Sequence, residues 1–185
     1  MRWSIVALLL VSPASAHRPA PAELRTVIDD PTISWVIAGE LHDGDEVYTI
    51  ALDFPRPFAL PFELMTEKRA GTADFRPAYA VVGAGLPVPS VEVTAALPMP
   101  LPEGWGAFVA WNDEPEREIY FEQVMRRNLY TTGSHALALR EGPHEIWIWN
   151  PDGLPGDWQM GFGVEEDFGG DAFADIFAHW GRYAW

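Results

Sequence analysis

The sequence predicts an all-β protein, an antiparallel β-sandwich of immunoglobulin-like or jelly-roll-like type with a short C-terminal helix. Three observations predict it. Short segments rich in β-branched and aromatic residues alternate apolar and polar side chains with a period of two. Gly, Pro, Asn and Asp separate them at intervals of roughly 8–15 residues, the spacing of a sandwich or barrel. The strand–helix alternation of a parallel α/β sheet is missing.

Residues 1–16 read as a cleavable signal peptide. Arg2 supplies a positive start, Trp3 to Val11 an apolar stretch, and Ala14-Ser15-Ala16 a small-x-small cleavage site. The stretch is too short to span a bilayer, which takes about 20 helical residues. Cleavage after Ala16 would make His17 the first residue of an exported protein, periplasmic or extracellular. Residues 17–31, with prolines at 19, 21 and 31, read as an extended leader.

The sandwich is expected over 32–168. Residues 32–41 and 46–54 flank the turn His42-Asp43-Gly44-Asp45-Glu46, and the pair reads as a hairpin. Further strands are expected at 61–66, 78–83, 91–96, 106–111, 118–123, 128–132, 135–140, 145–150 and 158–164. The stretch 85–104 holds five prolines and reads as a Pro-punctuated edge strand with long loops, or else as a linker. Residues 169–185 read as a helix. Asp171 is its N-cap, and Phe173, Ile176, Phe177 and Trp180 lie on the face that packs on the domain.

Composition narrows the partners. The formal net charge is −15, and losing Arg2 makes the exported form one unit more acidic. Phosphate backbones are bound by clusters of Lys and Arg, and no run of them is visible, so nucleic acid is not an expected partner. After residue 16 no apolar run is long enough to cross a membrane. There is no cysteine, hence no disulfide and no thiolate metal site. The expected partner is a small molecule, a glycan or another protein.

Residues 140–168 carry the strongest local signal. A turn at Gly142-Pro143 enters a strand with Ile146 and Ile148 on one face and Trp147 and Trp149 on the other. Asn150-Pro151-Asp152-Gly153 turns the chain, and Gly156-Asp157 leads into Trp158, Met160, Phe162 and Val164. This reads as a second hairpin. The arrangement resembles the closing hairpin of the bacterial pre-peptidase C-terminal domain, in which a G-x-Y-x-I-x-V strand precedes a G-D-Y-x-L-x-V strand. Trp158 stands where a tyrosine is usual. Residues 39–52 similarly resemble the early hairpin of those modules, with Glu46-Val47 departing from the pattern. The resemblance implies an exported accessory module and carries over no catalytic residue.

Three chemistries are weighed beside that non-catalytic reading, which needs no cofactor. An amino-terminal His17 could bind copper through its amine and Nδ1, as in the histidine brace of lytic polysaccharide monooxygenases. His42, His135, His144 or His179 would serve as the second ligand. Trp147, Trp149 and Trp158 could form a flat platform for sugar rings, although alternation on adjacent strands is also how a core is filled. The acidic turns at 42–46 and 152–157 offer oxygen ligands without EF-hand spacing, and read as turn chemistry. No G-x-S-x-G or His-Glu-x-x-His motif is present, while paired carboxylates of a hydrolase would meet only in space.

Overall fold

The computed structural model describes residues 17–123 and 126–165. The signal-peptide segment, the expected helix over 169–185 and His179 lie outside the described residues. The described residues form twelve strands and one short helix, in order β1 (Arg18–Pro21), β2 (Arg25–Ile28), β3 (Trp35–Leu41), β4 (Tyr48–Phe54), β5 (Phe58–Glu67), β6 (Ala78–Ala84), α1 (Val91–Ala96), β7 (Trp105–Ala110), β8 (Glu118–Glu122), β9 (Arg127–Thr131), β10 (His135–Leu139), β11 (Gly142–Trp149) and β12 (Gly156–Phe162).

Two mixed sheets face each other. One runs β1-β3-β12-β5-β9-β8, with β10 also on β5; the other runs β2-β4-β11-β6-β7. Inward residues from both sheets fill the space between them: Ile37 and Leu41, Ile50, Leu52 and Phe54, Leu60, Phe62 and Leu64, Tyr79 and Val81, Ile146 and Ile148, Trp158, Met160 and Phe162. This is the sandwich that period-two patterning requires, since each sheet must cover one apolar face.

Four expectations are corrected. First, neither expected hairpin forms. Strands β3 and β4 belong to different sheets, as do β11 and β12. Each connecting loop is an arch that carries the chain across the core. The arches stack on each other, with a Cβ at Gly44 falling 3.0 Å from the Gly153 backbone. A longer loop permits either geometry. Here β3 pairs with β12, and β4 with β11, so the layers are joined by neighbouring crossovers.

Second, the leader belongs to the sandwich. β1 pairs in parallel with β3, and β2 in parallel with β4, so one short segment edges both sheets. The sheets are therefore mixed, not purely antiparallel. Third, residues 91–96 are helical. Ser90 caps them, its Oγ accepting from Val93 N at 3.3 Å, and Pro98 follows the last turn. Two β-branched valines suggested a strand, but cap and proline decide the local geometry.

Fourth, the Pro-rich stretch is neither an edge strand nor a linker. Its Leu97, Met99 and Leu101 pack on the outer face of the second sheet, over Ala78, Ala80, Val82, Trp147 and Trp149. That face is thus buried, which explains why β6 and β11 read as nearly continuous apolar runs.

The expected strands over 128–132 and 135–140 are one strand broken by a bulge. Met65 pairs with Thr131 and Phe62 with His135, so Thr132, Gly133 and Ser134 oppose only Glu63 and Leu64. Thr132 closes the bulge, donating its N–H to Leu64 O at 3.0 Å and accepting from Leu64 N through Oγ1 at 3.1 Å. Gly133 takes the left-handed conformation there, φ 74°.

Candidate functional site

A cleft of about 210 Å³ lies where β5 ends, the loop 68–75 turns and β12 begins. Its wall is built from Thr66, Glu67, Arg69, Thr72, Phe75 and Asp157, among others. The loop is tied by one side chain. Thr72 Oγ1 donates to Glu67 O at 2.7 Å and accepts from Arg69 N at 3.1 Å. This holds Arg69 at the cleft mouth. Its Nη2 donates to Asp157 Oδ2 at 2.9 Å, and its Nη1 lies 3.5 Å from Glu67 Oε2. Arg127 Nη1 approaches the same Glu67 oxygen at 3.9 Å.

Behind the cleft sits a second guanidinium. Arg117 donates to Thr66 Oγ1 at 2.7 Å and to Phe75 O at 3.2 Å, and stacks over the Tyr130 ring at 4.0 Å. Burial, and then repulsion from Arg76, pulls its pKa down to about 10. Arg76 in turn ties down the carbonyls of Asn112 and Glu114. Lys68, Arg69, Arg76, Arg117, Arg126 and Arg127 all belong to this end of the molecule, half of the chain's twelve Lys and Arg. No run of them shows in the sequence because separate segments, the 68–76 loop and the two sides of β8, deliver them. Carboxylates partner the ones at the cleft, so the result is a charged recess with both signs, not a bare basic patch.

The sequence-predicted residues scatter. Trp147 and Trp149 are 2% and 6% exposed beneath the Pro-rich strap, while Trp158 is 0% exposed between the sheets. They share neither a face nor access to solvent, so the three form no platform. Trp147 Nε1 donates to Glu145 Oε2 at 2.8 Å, and Trp149 packs edge-on against Trp111 at 5.7 Å.

The histidines are equally dispersed. His17 Nδ1 lies 2.6 Å from Ser34 Oγ, at the start of β1. Arg18 pairs with Trp35, and His42 follows β3 seven residues beyond Trp35, at the strand's far end. At ~3.3 Å per residue that separates them by roughly 20 Å. His135 lies on the same cross-strand row as Arg18, through Trp35, Phe162 and Phe62. Four strand spacings of ~4.8 Å again give roughly 20 Å. There its Nδ1 meets Tyr79 Oη at 3.1 Å. His144 is buried in the other sheet, its ring 5.5 Å from Phe54. The described residues therefore bring none of these three to His17, and they contain no group of three or more His, Asp or Glu placed to hold a metal ion.

The acidic turns serve local structure. Glu46 accepts from His42 N at 2.6 Å, and Asp157 is the partner of Arg69. Sequence reasoning noticed Asp157 as a turn residue and missed Glu67 and Arg69 altogether, because ion pairs between residues so far apart leave no local pattern. Among the described residues no helix is long and apolar enough to cross a membrane. No protein-family model matches the chain, and no curated protein matches it.

Proposed function

We propose that this protein is an exported, non-catalytic sandwich of immunoglobulin-like or jelly-roll-like type that works by binding, with the cleft at Arg69 as its ligand site. The observation that carries the reading is Arg69 itself. Its guanidinium is aimed by Asp157 and Glu67 beside the hydroxyls of Thr66 and Thr72, in a recess of about 210 Å³. That volume equals about seven waters of liquid, and suits one small polar ligand such as a single sugar ring. Donors from arginine and acceptors from carboxylates are the groups that bind vicinal hydroxyls. The ions hold each other in place, an arrangement suited to orienting a ligand. Export is part of the proposal and rests on residues 1–16.

Isothermal titration of residues 17–185 against mono- and disaccharides tests the site. Saturable binding is expected, weakened about 10- to 100-fold by Arg69→Ala, as for losing a hydrogen bond to a charged group. Binding indifferent to that substitution, or no binding to any sugar, would remove the cleft from consideration. Mass spectrometry of the cell-exported product tests the other half, since a first residue far from His17 contradicts the cleavage.

A further inference from the structure

Sheet edges invite pairing with other chains and are usually blunted. Among the described strands, three edges are. β1 carries Pro19 and Pro21, β2 is only four residues long, and β7 is covered where Ala107 N donates to Pro87 O at 2.9 Å. Two others remain, β10 and β8, and the one exposed along nearly its whole length is β8. It pairs with β9 on one side, and among the described residues no strand pairs with the other. Its centre is Ile119-Tyr120-Phe121, with exposures of 47%, 48% and 52%. These are strong β-formers with no proline, lysine or bulge among them.

We propose that β8 is a docking edge for an extended, basic segment of a partner protein, which adds as a further strand. This goes beyond the cleft and stands on different residues. Main-chain groups of β8 would supply the hydrogen bonds, and Ile119 and Phe121 on one face would receive alternate apolar side chains. Charge selects the occupant. Asp113, Glu114, Glu116 and Glu118 are all exposed on the approach to β8. The one cation among them, Arg117, is turned inward onto Thr66 and Tyr130. A second copy fits poorly. Antiparallel self-pairing centred on Tyr120 sets Glu118 opposite Glu122, and centring on Ile119 sets Glu116 opposite Glu122. Like charges directly opposite are destabilising.

The test uses residues 17–185, labelled for NMR, with a blocked peptide Lys-Val-Thr-Val-Arg-Val-Thr-Lys and a counterpart with glutamate at each basic position. The basic peptide should bind saturably, protect β8 amides from hydrogen exchange at least tenfold, and weaken as salt rises. The glutamate peptide should not bind. Phe121→Lys should lower peptide affinity at least tenfold and leave sugar binding at Arg69 untouched. Arg69→Ala should do the reverse, so either idea can fail alone. If Phe121→Lys proves unfolded by circular dichroism, the pair Glu116→Lys with Glu118→Lys replaces it and should favour the glutamate peptide instead. Equal binding of both peptides, or protection away from β8, would overturn the proposal. So would dimerisation through β8 in sedimentation equilibrium.

Discussion

His144 shows how much one side chain can hold. It is 1% exposed and packed so closely on Gly83 that any Cβ there would collide with the ring. Its Nδ1 donates to Gly142 O at 3.1 Å, while Nε2 is buried with no hydrogen-bond partner. Burial lowers its pKa below the ordinary 6.5, outweighing the carbonyls of Gly142 and Ala84 and the charge of Asp53, which push the other way. The folded state therefore favours the neutral ring. Its contribution to stability is complete above pH 6.5 and is lost as pH falls from there through the lowered folded pKa, because the unfolded chain takes up the proton first. The melting temperature of the native chain should thus fall more steeply between about pH 7 and pH 5 than that of His144→Gln. Parallel curves would mean that the ring titrates normally. The sequence offers this histidine as a second copper ligand, and its burial assigns it to the core.

The bulge between β9 and β10 governs packing over a whole element. In an unbroken strand every second residue after Leu129 and Thr131 would keep to the outer face that these two share with Met65 and Glu67. The bulge resets the phase, so that His135, Leu137 and Leu139 pair with Phe62, Leu60 and Phe58 and point inward. Inserting one alanine between Ser134 and His135 should turn those side chains outward, since a one-residue slip exchanges the two faces. With Leu139 buried and Leu137 packed on the core, the expected cost is about 3–6 kcal/mol at ~1.5–3 kcal/mol per leucine. Urea denaturation would measure it, and a loss under 1 kcal/mol would show that the strand re-registers freely. The strap over the second sheet is an element of the same kind. Leu97, Met99 and Leu101 have no period a sequence reader would choose, yet they bury Trp147 and Trp149.

Across the whole molecule, residues 17–31 tie the layers together. β1 extends one sheet and β2 the other, with Ala20 and Ala22 packed on the core and Ile28 buried within it. A chain beginning at Thr32 would expose the edges of β3 and β4 at once. It should melt about 10 °C lower, taking a loss of roughly 3 kcal/mol, and should aggregate through the newly exposed edges. An unchanged melting temperature would show that the sandwich stands without its first two strands. The same clamp explains the arches. With β3 beside β12 and β4 beside β11, both crossovers lie side by side, and Gly44 and Gly153 allow their backbones to touch.

The amino-acid order by itself determined the β class, ten of the twelve strand positions and which residues of EIWIWN turn to which side. These follow from period-two patterning and turn residues, which act over a few neighbours. It also marked Asp157 without its meaning. Only tertiary structure decided the rest. Whether a loop makes a hairpin or an arch depends on which sheet receives the next strand, and the burial of Trp147 and Trp149 depends on a strap some fifty residues earlier. The pairing of Glu67 and Asp157 around Arg69 joins residues 90 positions apart. Such contacts are set by where sheets meet, and no local pattern encodes them.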